Sequence, residues 1–201
     1  MKLYYTPGAC SLAPHMALRE AGLSFDLEKV DLQTKTTESG SDYLVVNPKG
    51  YVPALELDSG ELLTEAGVLL QYIADQAPAS GLAPAAGSIE RYRLMEMIHF
   101  ISTELHKGFS PLFDPEVSEE AKQAQLELIS KHLAYLDDLF TDRSWLMGDA
   151  FSVADCYLAT MLSWAQYIKM DLTAWPNLAA YAGRVMSRPA IGETFKAEGL
   201  M

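Results

Sequence analysis

Residues 2–12 read KLYYTPGACSL, and this stretch decides how the chain begins to fold. Lys2 to Tyr5 is short and favours a strand, while Thr6-Pro7-Gly8 is a turn signal. Ser11 then opens a pattern in which apolar residues recur four positions apart, as on one face of a helix. The stretch therefore predicts a strand, a tight turn and a helix, with Cys10 at the start of that helix.

The chain beyond this helix predicts a mixed sheet. Periodicity and turn residues indicate strands at 24–30, 52–57 and 61–63, and a helix at 65–77 that Pro78 ends. The first strand pair needs a helical crossover and is parallel, whereas Asp58-Ser59-Gly60 makes a hairpin. A mixed four-stranded sheet with helices packed on it satisfies both connections.

A change in composition marks the end of this α/β part. Residues 78–87 (PASGLAPAAG) are rich in Pro, Gly and Ala without a periodic pattern, so we expect a linker there. The remaining sequence predicts only helices, near 88–110, 118–140, 152–168 and 176–187, with a short one after Pro189. The expected architecture is an α/β domain at 1–77 and an all-α domain at 88–201.

Composition excludes several classes of function. A net charge of -12 repels phosphate backbones, so a nucleic-acid partner is not expected. The sequence has no run of about 18 apolar residues and no apolar signal segment, so we expect a cytoplasmic protein without a membrane partner. Two cysteines without C-x-x-C spacing, and four histidines without H-E-x-x-H spacing, predict neither a metal site nor a structural disulfide.

Three local features carry a resemblance to a known family. Val52-Pro53 lies just before a predicted strand, where a cis peptide bond is one way to accommodate proline. Thr64-Glu65 lies at a strand-to-helix junction, and Cys10 with Ser11 lies at the start of the first helix. Together these features resemble the thioredoxin-like domain of glutathione transferases.

Other stretches extend the resemblance to the whole chain. Residues 148–158 (GDAFSVADCYL) match the family's helix-capping signature, in which Ser152 and Asp155 form the cap. The chain is most similar to the bacterial beta class, which has a cysteine where other classes use tyrosine or serine. The stretches concerned are KLYYTPGACSL, NPKGYVPALEL, TEAGVLLQYIAD, TELHKGF and the final AEGL.

The resemblance implies a glutathione site in the first domain. Val52 and Pro53 would pair with the backbone of glutathione, and Glu65 would hold its γ-glutamyl end. Many transferases have serine after the acidic residue, but this chain has Ala66, which offers only its backbone N–H. Lys35 would bind the glycyl carboxylate. Taken alone, Lys35 could equally be a solvated lysine, and Glu65 a residue that complements the helix dipole.

Cys10 is the expected sulfur of the site. The unpaired N–H groups and the dipole at a helix N-terminus favour a thiolate. The alternative is a small buried hydrophobic residue. By resemblance, Cys10 can form a mixed disulfide with glutathione, while Ser11 either contacts the ligand or caps the helix. Cys156, in an apolar run, is expected to be a buried structural thiol.

A polar set on the first helix of the second domain completes the candidate site. At 100° per residue, His99, Thr103 and His106 fall within an arc of about 60°. The resemblance places this helix opposite Cys10, so that His106 could hydrogen-bond the sulfur or polarise an electrophile, with Lys107 adding positive potential. His99 stands where some beta-class members have asparagine. The alternative is a polar helix face with a satisfied histidine.

The expected function is conjugation of reduced glutathione, the co-substrate, to small hydrophobic electrophiles in detoxification. Thiol-disulfide exchange through Cys10 is expected as a second activity, and the resemblance also implies a homodimer. Two alternatives remain: a dedicated glutathione-dependent redox enzyme, such as a thiol transferase or peroxidase, and a non-catalytic binding or scaffold member of the fold. The electrophile depends on loops and cleft shape, which the sequence leaves open.

Overall fold

The structure is a computed structural model that describes all of residues 1–201. Packing divides the chain into two compact units: Met1–Ala83 with Arg188–Met201, and Pro84–Ser187. The expected domain limits of 1–77 and 88–201 stay a prediction, and by packing the last helix belongs to the first unit. None of the helices combines the length and apolar character needed to cross a bilayer.

The first unit is built on a mixed sheet in the order β3-β2-β1-β4-β5. The strands are β1 Lys2–Tyr5, β2 Asp26–Asp31, β3 Thr36–Thr37, β4 Ala54–Glu56 and β5 Leu62–Thr64. β1 runs parallel to β2, and the other three neighbouring pairs are antiparallel. The thioredoxin-like arrangement of a parallel crossover followed by a hairpin is therefore confirmed.

The expected number of four strands is wrong, because the sheet has five. The additional strand, β3, is two residues long and pairs with β2 at the edge of the sheet, where Val30 faces Thr37. It lies in the polar segment QTKTTES, where two paired residues leave no alternating pattern to detect. A short helix, α2 at Tyr43–Val46, was also not predicted.

Three longer helices pack in the first unit. They are α1 Leu12–Glu20, α3 Ala66–Gln76 and α9 Pro189–Ala197. Residues 12–18 of α1 are all buried, because α3 and α9 both pack against this helix. The helix is correspondingly apolar on almost every side. The bidentate pair between Arg188 and Glu20, at 2.7 Å for each bond, joins the start of α9 to the end of α1.

The second unit is entirely helical. Its helices are α4 Ile89–Phe100, α5 Lys107–Phe109, α6 Glu119–Leu139, α7 Val153–Tyr167 and α8 Pro176–Met186. Between α4 and α5 the backbone forms a π-helix at Ile101–His106. α7 is the core helix, since its residues from Val153 to Leu162 are all buried.

Asp155 anchors the start of α7. Its carboxylate accepts hydrogen bonds from the N–H of Ser152 at 2.8 Å, the Ser152 hydroxyl at 2.9 Å, the N–H of Leu146 at 3.0 Å and the Tyr181 hydroxyl at 2.9 Å. Complete burial raises the pKa of Asp155, an effect that the donors oppose. The expected capping box at Ser152 is present and extends to α8 through Tyr181.

We expect Asp155→Ala to destabilise the protein strongly. Four buried donors would lose their acceptor, at a cost of about 3 kcal/mol, or about 6–12 °C in melting temperature. Thermal unfolding measures the effect. Asp149→Ala, which removes an exposed carboxylate from the preceding loop, is the matched control. Equal melting temperatures for Asp155→Ala and the wild type would refute the anchoring role.

Candidate active site

The topology of the first unit brings four loops to one edge of the sheet. Tyr4 pairs with Ala54, which pairs with Thr64 on the other side. The segment after β1, the segment before β4 and the segment after β5 therefore all leave the sheet at the same end. Cys10, Val52-Pro53 and Glu65 lie on these three segments, and one hydrogen bond, from Lys35 to the carbonyl of Gly50, adds the loop after β2.

Cys10 lies beside the segment before β4. Its Sγ donates to the carbonyl of Val52 at 3.2 Å, and its side chain is partly exposed. It precedes Ser11, the N-cap residue of α1, as expected. A thiolate cannot donate, so this hydrogen bond is lost when the sulfur ionises. The sulfur is thus accessible and has a defined position.

Ser11 has a structural role that differs from capping. Its hydroxyl is fully buried, accepts from the N–H of Thr6 and donates to the carbonyl of Thr6, both at 3.2 Å. It makes no side-chain bond to the helix, so the capping alternative is wrong. Ser11 instead closes the turn that carries Cys10, and only its backbone remains for a ligand.

The Val52-Pro53 peptide bond is cis, as one sequence interpretation proposed. The preceding carbonyl, that of Tyr51, accepts from the Tyr43 hydroxyl and the Asn47 amide, both at 2.8 Å. The N–H of Val52 makes no hydrogen bond within the chain. This rigid segment therefore presents one unpaired amide next to the Cys10 sulfur, as an edge that can pair with an extended peptide.

Glu65 lies in an unusual backbone conformation, with φ 71° and ψ 115°. Such values are uncommon for a residue other than glycine and are concentrated at functional sites. Glu65 is the N-cap residue of α3, but its side chain does not cap the helix. Its carboxylate is 69% exposed and accepts from Lys49 Nζ at 2.8 Å. An exposed pair of this kind is weak, so the carboxylate can exchange Lys49 for a ligand amine.

Ala66 opens α3, and its backbone N–H has no acceptor within the chain. Lys35 lies further along the same edge, where its Nζ donates to the carbonyl of Gly50 at 2.9 Å and lies 5.9 Å from the centre of the Tyr51 ring. The ammonium group retains two further donors. The first unit thus presents a thiol, a carboxylate, an ammonium group and two amides on adjoining segments.

In the second unit, the expected arc of His99, Thr103 and His106 is wrong in its geometry. The π-helix at Ile101–His106 turns more widely than an α-helix and changes the angular spacing. His99 Nδ1 contacts the carbonyl of Met95 at 2.8 Å, and Thr103 donates to the carbonyl of His99 at 3.0 Å. The side chains of His99 and Thr103, like that of Lys107, remain exposed.

His106 is oriented by α7. Its Nδ1 lies 2.7 Å from the Tyr157 hydroxyl, and its ring meets the Trp164 ring edge to face at 5.1 Å between centroids. Tyr157 is only 1% exposed, so it fixes the imidazole from the core side. A π-helix within a longer helix often marks a functional site.

Sequence reasoning missed two of these partners. Lys49 pairs with Glu65 across the sheet edge, and the sequence around Lys49 carries no signal of this contact. Tyr157 belongs to the apolar run of α7 and gave no sign of contacting His106. The spacing of 51 residues between them carries no local pattern. The structure contains no group of three side chains arranged to hold a metal ion.

The fold and this site define a class: a thioredoxin-like domain with a thiol before its first helix and a cis-proline edge beside it, followed by a helical unit. The comparisons with known proteins identify the family. Residues 8–76 match the glutathione S-transferase N-terminal domain, and residues 100–189 match the glutathione S-transferase C-terminal domain. The chain belongs to the glutathione S-transferase family.

Relatives agree over the full length. Glutathione S-transferase GstA of Escherichia coli O157:H7 is 47% identical, with 100% of both chains covered. A sphingomonad glutathione S-transferase, solved in complex with glutathione, is 57% identical with a TM-score of 0.96, and 100% of both chains is covered. The bacterial beta class enzyme of Sphingomonas chungbukensis is 53% identical with a TM-score of 0.97, again over 100% of both. The beta-class resemblance and the transferase activity are therefore confirmed.

Proposed function

We propose that this transferase binds glutathione along the edge of the first unit and uses Cys10 for thiol-disulfide exchange in addition to conjugation. The observation that carries the proposal is the position of Cys10 Sγ, 3.2 Å from the carbonyl of Val52 and beside the unpaired Val52 N–H. An extended tripeptide that pairs with this amide places its own cysteinyl sulfur close to Cys10. The solved complex of the sphingomonad relative with glutathione supports the ligand.

The remaining groups of the edge fit the two ends of glutathione. Glu65 binds the cationic γ-glutamyl amine, with the N–H of Ala66 directed at the adjoining carboxylate. Lys35 binds the glycyl carboxylate, and its contact with the Gly50 carbonyl brings the ammonium group to the segment before Val52. Charge-assisted bonds of this kind are stronger than neutral ones, which an acidic protein needs for an anionic ligand.

The exchange reaction is a pair of displacements at sulfur. The Cys10 thiolate attacks the glutathionyl sulfur of a mixed disulfide between glutathione and another thiol, the disulfide bond breaks, and the other thiolate leaves and takes a proton from water. A glutathione thiolate then attacks the resulting disulfide between Cys10 and glutathione, forms oxidised glutathione and releases the Cys10 thiolate. Because Cys156 is fully buried in α7, resolution of the mixed disulfide is by glutathione.

Conjugation uses the sulfur of glutathione itself. Its thiolate attacks the electrophilic carbon, the leaving group departs with the bonding electron pair, and the thiol proton passes to solvent. The protein then needs only to hold the tripeptide and stabilise the thiolate. The Cys10 thiol can donate to that thiolate once its bond to Val52 is released.

We assign to His106 a role at whichever sulfur is ionised, with Tyr157 holding the imidazole. His99, Thr103 and Lys107 belong to the same proposal as polar and positive groups of the ligand site. His106→Ala is expected to lower exchange and conjugation together, because its hydrogen bond serves both reactions. A loss of about 10- to 100-fold is the scale for one hydrogen bond to a charged group.

Tyr157→Phe should lower both activities in the same ratio but less, since the imidazole remains. Tyr167→Phe, on the same helix and 79% exposed, is the matched control and should be neutral. Steady-state rates in both assays measure the effects. Wild-type rates in His106→Ala would remove His106 from the mechanism.

We also propose a cytoplasmic homodimer. Leu44, Val45 and Tyr51 form an exposed apolar cluster on α2 and the segment before Val52, with Val45 82% and Tyr51 70% exposed. Exposed clusters of large apolar side chains mark association surfaces, and a second copy of the chain would cover this one. The two free cysteines are consistent with a reducing compartment.

The test of the function is an assay of purified protein with reduced glutathione against an aromatic nitro-halide, a dehalogenation substrate and a peroxide. A second assay measures reduction of a glutathione mixed disulfide. Turnover of at least one carbon electrophile together with the exchange reaction supports the proposal. Exchange or peroxide reduction without conjugation would favour a dedicated redox enzyme, and absence of all activities would favour a binding or scaffold role.

A further inference from the structure

The end of the chain reaches back to the loop that carries Cys10. The side chain of Glu198, which follows α9, is fully buried. Its Oε2 accepts from the backbone N–H of Gly8 at 2.9 Å, and its Oε1 lies 2.7 Å from His15 Nδ1. Leu200 covers the same loop, since a Cβ atom on Gly8 would lie 3.5 Å from its Cδ2.

The protonation of His15 follows from a third residue. Arg19 Nε donates to His15 Nε2 at 3.2 Å, and a guanidinium group has no acceptor. His15 Nε2 is therefore the acceptor and the ring proton is on Nδ1, from which it is donated to Glu198. Arg19, His15 and Glu198 thus form a chain of hydrogen bonds that ends at the Gly8 amide.

A fully buried carboxylate is costly unless it is well paired. The Glu198 carboxylate accepts one hydrogen bond from His15 on α1 and one from Gly8 in the Cys10 loop. Arg19 contacts it only indirectly, through the imidazole of His15. Replacing such a group by an apolar one is often neutral or stabilising, so stability alone does not explain its presence. The distinguishing feature of this carboxylate is its hydrogen bond to the backbone N–H of Gly8, two residues before Cys10.

The Cys10 loop, residues 6–11, is attached to the sheet at both ends, since the Thr6 hydroxyl donates to the carbonyl of Val30 at 2.7 Å and the Cys10 thiol donates to that of Val52. Ser11 closes it at Thr6, and the N–H of Ala9 donates to the Thr6 carbonyl at 3.0 Å. These three bonds are internal to the loop. Gly8, with φ at 72°, is held from outside the loop by Glu198. A displacement of Gly8 would shift Cys10 relative to Val52 and the start of α1, and shifts of about 1 Å at a reacting group cost about 100-fold in rate.

We propose that Glu198 is a positioning residue for Cys10, so that the segment after α9 is a working part of the thiol site. The inference rests on the proposed function in assuming that Cys10 reacts with glutathione. Glu198 acts through Gly8, and His15 with Arg19 sets its orientation. Without Glu198 the loop leaves the N-terminus of α1, and the thiolate loses the stabilisation that this position supplies.

The experiment measures alkylation of Cys10 by iodoacetamide, which needs no glutathione. Glu198→Gln removes the charge and keeps the shape, whereas Glu198→Asp keeps the charge and shortens the reach. We expect both variants to react at least about fivefold more slowly at pH 7, with the rate–pH profile moved to higher pH. Rates are taken by mass spectrometry of the Cys10 peptide, well below each variant's melting temperature.

Glu193→Gln is the matched control, because Glu193 lies on α9 and contacts the same Arg19 at 3.7 Å but is 64% exposed. Its rate should stay within about twofold of the wild type. Arg19→Met, at the partly exposed outer end of the chain of bonds, is a milder variant that should slow alkylation even if Glu198→Gln does not fold. Wild-type rates in both Glu198 variants would overturn the proposal.

A faster Glu198→Gln beside an unchanged Glu198→Asp would also overturn it, because removing an anion eases thiolate formation without any change of position. Oxidised glutathione is tested in parallel. Slower alkylation in the Glu198 variants with no glutathione adduct in the wild type would retain the positioning role and remove the proposed function. Wild-type alkylation rates in the Glu198 variants, together with a glutathione adduct in the wild type, would remove the positioning role and retain the proposed function.

Discussion

Cys10→Ala is expected to reduce exchange with a glutathione mixed disulfide to the rate of the reaction in solution. The variant lacks the attacking sulfur, and the only other thiol, that of Cys156, is fully buried. Conjugation should fall less, because there the nucleophile is the glutathione sulfur and the peptide-binding edge remains. The measurement is the ratio of the exchange rate to the conjugation rate. This ratio should fall far more than the glutathione affinity or the melting temperature.

Two further variants sharpen this result. Cys10→Ser retains a donor to the Val52 carbonyl and should lose exchange as completely as Cys10→Ala, while conjugation stays closer to the wild type. Cys156→Ala should leave exchange intact in the folded protein. If exchange survives in Cys10→Ala, or is lost in Cys156→Ala, the assignment of the reacting sulfur is wrong.

Glu65→Gln should weaken glutathione binding by about 10- to 100-fold. The change keeps the shape but removes the charge that faces the γ-glutamyl amine, and a hydrogen bond to a charged group is worth about 1.5–3 kcal/mol. Calorimetric titration with reduced glutathione measures this loss directly. The melting temperature of the free protein should barely change, since the pair with Lys49 is exposed.

Glu61→Gln provides the comparison, because Glu61 is another exposed carboxylate and lies just before β5. It should bind glutathione as the wild type does, which excludes a general effect of net charge. Equal binding by Glu65→Gln and the wild type would leave Glu65 only as a residue at the start of α3, and its unusual backbone conformation would need another explanation.

Much of the fold could be predicted from local pattern. β1, α1 and the β4–β5 hairpin follow from short runs bounded by turn residues, and α6, α7 and α8 begin and end within a few residues of their predicted limits. The single helix expected near 88–110 is wrong, because a π-helix separates α4 from α5. The two-residue β3 and the four-residue α2 could not be predicted in this way, because elements so short contain no period. They depend on pairing with β2 and on the Asp42 cap.

The candidate site, like the fold, could be predicted only in part. Cys10, Val52-Pro53 and Glu65 each lie at a junction between elements, and such junctions are visible in sequence. Their partners are not visible, because Glu198 reaches Gly8 across 190 residues and Tyr157 reaches His106 across 51. Periodicity gives no signal for the π-helix at Ile101–His106. The arc of His99, Thr103 and His106, which was calculated for a regular α-helix, was therefore wrong.

Location of the glutathione adduct tests the central claim, that Cys10 is the sulfur at which this transferase exchanges disulfides. Wild-type protein is incubated with oxidised glutathione, weighed intact and then digested, so that the peptides of Cys10 and Cys156 are measured separately. We expect one adduct per chain, on the Cys10 peptide, which is absent in Cys10→Ala and released by reduced glutathione. An adduct on Cys156, or one that persists in Cys10→Ala, would contradict it.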